Sequence, residues 1–170
     1  MLIMGDCGVG KTSLLLRFMQ NTFVEVSITN SYKLEVKVID VGGSPVKLQI
    51  LDGVHLERWR TSPISPHRGT TGYLVLYDVT NTESFINVEK WIAEIALYSC
   101  EDVIRLLVGT KCDLEEERKV STKDGQLLAE KFNMRFIETS AKDSTNVEEA
   151  FFQLAADLKE QQDDTKRFLL

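Results

Sequence analysis

Residues 5–12 read Gly5-Asp6-Cys7-Gly8-Val9-Gly10-Lys11-Thr12, and this G-x-x-x-x-G-K-[ST] spacing limits what the chain can fold into more than any other feature. Glycines at these positions let backbone N–H groups converge on an anion, the lysine neutralises terminal phosphates, and the final hydroxyl is suited to joining a divalent cation. The apolar run Met1 to Met4 precedes the loop, and Thr12 to Met19 follows with leucines and Phe18 in a helical pattern. Strand, loop and helix in that order set the loop at a helix N-terminus, where the macrodipole favours negative charge. The expected ligand is a nucleoside polyphosphate with Mg2+, bound by Cys7, Gly8, Val9, Gly10, Lys11, Thr12 and the adjoining Ser13.

The rest of the chain alternates strand and helix signals. From Tyr32 to Ile39, apolar Tyr32, Leu34, Val36 and Val38 alternate with Lys33, Glu35 and Lys37, the pattern of a strand with one wet face. Gly42-Gly43-Ser44 turns the chain, and Val46 to Leu51 returns antiparallel to it. That second strand delivers Asp52 to the sheet edge beside the loop, where a carboxylate can hold a magnesium-bound water. Buried-strand runs recur at Tyr73–Tyr77, Ile104–Val108 and Arg135–Ile137, separated by helical patterns at Phe85–Tyr98 and Lys123–Phe132, with a last helix from Val147 onward. Asn146 and Glu149 resemble a capping pair for that helix, and the polar stretch after Lys159 reads as frayed. The expected fold is three-layer α/β: a six-stranded, mostly parallel sheet with one antiparallel edge strand, flanked by about five helices. Residues 1–162 form one domain on this reading, and 163–170 a flexible tail.

Composition narrows the partners. A chain of 170 residues that is 43% hydrophobic suits one core. A formal net charge of −6 gives no basic face for nucleic acid and no polybasic segment for an anionic membrane. Cys7, Cys100 and Cys112 are odd in number and lack metal spacing, which suits a reducing, cytoplasmic setting. No apolar run approaches the ~18 residues of a membrane span. The end Lys166-Arg167-Phe168-Leu169-Leu170 carries no cysteine for prenylation, so no lipid anchor is expected within this chain, which is expected to be monomeric.

Two further segments complete a pattern. Thr110-Lys111-Cys112-Asp113 follows one strand and Glu138-Thr139-Ser140-Ala141-Lys142 follows the next. With the P-loop, they make the chain similar to the Ras superfamily of small GTPases, P-loop NTPases by fold. Within it the chain resembles the Rab group through Lys47-Leu48-Gln49-Ile50, Glu57-Arg58-Trp59-Arg60-Thr61, His67-Arg68-Gly69 and Tyr77-Asp78-Val79-Thr80-Asn81. The resemblance implies a switch in vesicle traffic that binds GTP or GDP with Mg2+ and hydrolyses GTP. It implies that Asp113 accepts from the guanine ring N–H and amine, that Lys111 packs along the base, and that the Ala141 N–H meets the guanine oxygen. Ser140 and Lys142 belong to the same motif. Adenine presents the wrong donors and acceptors to that carboxylate. Thr29 corresponds to the threonine that caps magnesium with GTP bound, and Phe23 to the aromatic beside the base. Thr12, Thr29 and Asp52 are then the metal residues. Effectors and exchange or activating factors are expected on residues 23–34 and 53–70, and peripheral membrane association through partners.

The chain departs from that family around one chemical step. Where the family writes Asp-Thr-Ala-Gly-Gln-Glu, this chain writes Asp52-Gly53-Val54-His55-Leu56-Glu57. Leu56 stands for the glutamine that orients the attacking water, a task for a hydrogen-bonding side chain. His55 replaces the glycine whose N–H senses the terminal phosphate; its ring nitrogens offer another means of positioning water. Cys7 sits where Rabs usually have serine, Thr110 where the family has asparagine, and Ser31 where it has glycine. Lys11 completes the expected catalytic set with His55 and Leu56. Binding should survive, and hydrolysis should be slow. The alternative is a non-cycling guanine-nucleotide module, such as one domain of a longer protein.

Overall fold

A computed structural model describes residues 1–24, 34–53, 66–99 and 102–168. The strands are β1 (Leu2–Gly5), β2 (Leu34–Asp40), β3 (Pro45–Asp52), β4 (Gly72–Asp78), β5 (Ile104–Thr110) and β6 (Arg135–Glu138). The helices are α1 (Lys11–Gln20), α2 (Thr82–Ile86), α3 (Val88–Tyr98), α4 (Thr122–Lys131) and α5 (Val147–Phe168). The six strands lie in the order β2-β3-β1-β4-β5-β6, antiparallel only between β2 and β3. This is the expected α/β architecture.

Alternation along the inner strands assigns the two cores. Leu2 and Met4 of β1 and Tyr73, Val75 and Tyr77 of β4 face α3 and α4, while Ile3, Leu74 and Leu76 face α1 and α5. On the second face Phe18 of α1 stacks on Phe151 of α5, ring centroids 4.0 Å apart. The sheet order reverses at β1, flanked by β3 and β4, so the crevice at the strands' carboxyl ends opens there.

Three local features differ from the sequence reading. The expected helix Phe85–Tyr98 is two helices that meet at Asn87, and α2 starts at Thr82 because the Asn81 side chain accepts from the N–H groups of Glu83 and Ser84. Asn146 does not cap α5 in the expected way: it sits at φ 54° and donates its amide to the Glu138 carbonyl, tying the helix start to β6. The last helix continues beyond Lys159 to Phe168, assisted by Gln161 Nε2 donating to the Asp102 carbonyl at 2.6 Å.

The faces of β2 are also inverted. Leu34, Val36 and Val38 are exposed, at 61%, 46% and 62%. The register explains it: Glu35 pairs with Ile50 and Lys37 with Leu48, so the polar residues of β2 share the face that β3 commits to the core. Lys37 adapts by laying its stem over the Phe18 ring and donating Nζ to the Phe18 carbonyl at 2.5 Å.

Candidate functional site

The phosphate loop leaves β1 at Gly5, where a Cβ would lie 2.4 Å from the Leu76 carbonyl oxygen; only glycine permits this approach of β1's end to β4. Gly10 caps α1 at φ 93°, a left-handed conformation, and no side chain caps the first turn. The leading N–H groups of α1 are therefore directed at the loop without an intramolecular acceptor from a capping side chain, an arrangement suited to an anion. Lys11 is buried, and its Nζ donates to the carbonyls of Gly5 (2.7 Å) and Asp6 (2.6 Å), which centres the ammonium over the loop. Cys7 and Gly8 are exposed and Val9 is buried. The Ser13 hydroxyl donates to the Val24 carbonyl at 3.4 Å.

β3 brings Asp52 to the loop as expected. Its Oδ2 accepts from Thr12 Oγ1 at 2.6 Å, while Oδ1 is buried without a hydrogen-bond partner among the described residues. Burial raises the carboxyl's pKa, opposed by the Thr12 hydrogen bond and the Lys11 charge. A buried carboxylate oxygen lacking a donor, beside a hydroxyl, is a hard oxygen pair of the kind Mg2+ takes. The donor set fits that ion.

The two loops beyond β5 and β6 are stitched together. Ser140 Oγ donates to Asp113 Oδ1 at 2.6 Å, Thr139 N–H to the Gly109 carbonyl at 2.7 Å, and Cys112 N–H to the Thr139 carbonyl at 3.2 Å. Lys111 takes φ 60°, and its ammonium pairs with Asp78 at 2.5 Å. Thr110 is buried; its hydroxyl lies 2.6 Å from the Val9 carbonyl and 2.9 Å from that of Tyr77, which joins β5 to the phosphate loop. Ala141 is half-buried and Lys142 exposed. Burial pushes the Cys112 thiol up to about 11, so it is a packing group at neutral pH.

The phosphate loop, the Thr12–Asp52 pair and the loops beyond β5 and β6 thus lie along one edge of one sheet. The sequence model of the Ras family matches residues 1–160. The chain belongs to the Ras family. It is 47% identical over 160 residues to Ras-related protein RIC1 of Oryza sativa subsp. japonica, covering 94% of this chain and 79% of that protein. It is 42% identical over 167 residues to GTP-binding protein ypt2 of Schizosaccharomyces pombe, covering 98% and 84%. Against Ras-related protein Rab-8B of Homo sapiens the identity is 43% over 159 residues, covering 93% and 77%. It is a Rab-like small GTPase, and Ras-family GTPases bind guanine nucleotide with Mg2+.

Phe23 is 37% exposed on the segment that follows α1. Thr29, Ser31, His55, Leu56, Trp59 and Cys100 lie outside the described residues, as does most of the expected partner surface. Sequence reasoning missed three supports. Asp6 accepts from Asn87 Nδ2 (2.7 Å) and Trp91 Nε1 (2.8 Å), so Trp91, within the expected helix Phe85–Tyr98, is half-buried and clasps the phosphate loop. Asp78 holds Lys111. Arg17 reaches the loop beyond β6. An indole N–H on a half-buried helix face needs an acceptor, and that need was the available signal for Trp91.

Proposed function

We propose that this chain is a Rab-like switch of vesicle traffic that holds GTP or GDP with Mg2+ tightly and hydrolyses GTP slowly. The observation that carries the reading is the intact holding apparatus, Thr12–Asp52 and Asp113–Ser140, combined with Leu56 at the water-orienting position. The Asp113 carboxylate selects guanine through its ring N–H and amine, with Lys111 along the base and the Ala141 N–H on the guanine oxygen. Phe23 flanks the base. Backbone N–H groups of residues 7–13 and the Lys11 ammonium bind the phosphates. Thr12, Asp52 and Thr29 would hold Mg2+, which when bound neutralises charge on the terminal phosphates.

Lys11 stabilises negative charge on the transferred group, but Leu56 presents only methyl groups to the attacking water. His55 keeps a backbone donor toward the terminal phosphate at the cost of glycine's freedom. Cys7 adds bulk at the same step. Ordinary members hydrolyse GTP at ~10⁻⁴ per second unaided, and this chain falls below that. Partners engage residues 23–34 and 53–70, and the protein acts in the cytoplasm, peripheral to membranes through those partners. No helix among the described residues is long and apolar enough to cross a membrane.

The three changes at Cys7, His55 and Leu56 also favour a second reading, a guanine-nucleotide module that does not cycle. Chromatography of nucleotide released from the purified protein, followed by single-turnover hydrolysis at saturating Mg2+, separates the two. Slow turnover that accelerates in Leu56→Gln supports the switch; no turnover in either protein supports the module. A wild-type rate equal to that of an ordinary Rab would refute impaired catalysis.

A further inference from the structure

We infer that Arg17 is a positioning residue for guanine recognition, acting through the loop at residues 140–143; the inference rests on the guanine reading above. Arg17 lies in the last turn of α1 and uses its guanidinium in two directions. Nη1 donates to the carbonyl (2.9 Å) and side-chain oxygen (3.2 Å) of Asn21, closing its own helix. Nε donates to the Ala141 carbonyl at 2.7 Å and Nη2 to the Lys142 carbonyl at 2.9 Å. A helix cap needs only the first pair. The second pair reaches across the fold to the loop that follows β6.

The same two peptide units are held from the other side. Ser140 Oγ accepts from the N–H groups of Lys142 (3.2 Å) and Asp143 (3.3 Å) while donating to Asp113. The peptide unit joining residues 141 and 142 thus has its C=O on Arg17 and its N–H on Ser140, and the next unit repeats the arrangement. Two successive peptide planes clamped at both ends fix the backbone next to the Ala141 N–H, the donor assigned to the guanine oxygen. Only a guanidinium, with five N–H donors in a planar fork, serves both carbonyls and Asn21 at once. Arg17 also stands six residues beyond Lys11, about 9 Å along the helix at 1.5 Å per residue. One rigid helix therefore begins at the phosphates and ends as the brace of the base loop.

The test compares wild type, Arg17→Gln and Arg17→Lys, each binding GDP, IDP and 6-thio-GDP in Mg2+. IDP lacks the exocyclic amine that Asp113 reads; 6-thio-GDP keeps it and substitutes a weaker acceptor for the guanine oxygen. Wild type should prefer GDP over 6-thio-GDP by about tenfold, the worth of one good hydrogen bond. In Arg17→Gln, GDP binding should weaken about tenfold and that preference should shrink to within about twofold, with the preference over IDP retained. Arg17→Lys should recover part of the lost preference. A merely structural role would weaken all three nucleotides equally, and that result would overturn the inference. Equal wild-type affinity for GDP and 6-thio-GDP would overturn it too. Failure of wild type to bind GDP would remove the guanine reading and the inference together.

Discussion

Replacing Thr110 by valine keeps the shape of the side chain and deletes its hydroxyl. That hydroxyl is 4% exposed as part of its residue and lies within hydrogen-bond reach of two carbonyls, of Val9 in the phosphate loop and of Tyr77 at the end of β4. It has one proton to give, so the two oxygens share one donor. In Thr110→Val the Val9 carbonyl loses that donor in a place water does not reach, while the Tyr77 carbonyl stays in the β4–β5 ladder, and an unsatisfied buried acceptor costs roughly 1–3 kcal/mol. We expect a loss of about 2 kcal/mol, or roughly 4–8 °C in melting temperature for a domain of this size. Because one acceptor belongs to the phosphate loop, GDP release should also quicken, by about threefold or more. Thermal denaturation with GDP and Mg2+ and a fluorescent-GDP dissociation assay read both effects. Thr110→Asn supplies two amide N–H groups for the two carbonyls and should slow GDP release relative to wild type. Unchanged melting and unchanged release in Thr110→Val would refute the argument that this hydroxyl ties β5 to the phosphate loop.

Other consequences are more local. Tyr77 Oη is buried without a partner among the described residues, so Tyr77→Phe should raise stability by about 1 kcal/mol in urea denaturation; a loss would mean that the hydroxyl is satisfied in solution. Trp91→Phe removes one of two donors to Asp6 and should cost about 1 kcal/mol while hastening GDP release; the dissociation assay fails this prediction if only stability moves. Burial raises the Asp52 pKa, so the metal-free folded protein binds that proton more tightly than the unfolded chain. The resulting stabilisation is complete below the ordinary carboxylate range and lost as pH rises through the raised folded value. Asp52→Asn should therefore flatten the decline in metal-free stability across that window, and it should abolish the effect of EDTA on GDP release. A variant whose profile parallels wild type would contradict both.

The fold was legible where one physical pressure acts alone. β1 and β4 are buried on both faces, so apolar runs such as Tyr73–Tyr77 could be nothing else in so short a segment. β2 was harder because its faces are set by a partner strand: the core belongs to Leu48 and Ile50, and the register turns Leu34, Val36 and Val38 outward whatever their hydropathy. At the site, the placement of Lys11 and Thr12 at the start of α1 and of Asp52 at the end of β3 was legible, because local spacing alone sets it. Asp6, Asn87 and Trp91 were not, since their contact joins residues 81 and 85 positions apart and no local period encodes it. Arg17 escaped for the same reason, being ordinary as a basic residue in the last turn of a helix.

This division bears on how catalysis could weaken while the fold persists. The groups that hold nucleotide on the proposed reading stand on elements with their own cores: β1 and α1 through Leu2, Ile3, Leu14 and Phe18, β3 through Leu48 and Ile50, and β5 through Leu107 and Val108. Side-chain and backbone bonds cross-link them, from Thr12 to Asp52, from Thr110 to Val9 and from Arg17 to Ala141. A substitution among these residues disturbs a buried acceptor or donor and costs stability directly. Leu56 and His55 follow Gly53 in the sequence, beyond the last residue of β3, and lie outside the described residues. On the proposed reading, leucine in place of glutamine there removes a task performed only when water attacks. Thr110 marks the opposite case: it departs from the family within the holding apparatus, and it keeps the hydroxyl that bonding to Val9 requires.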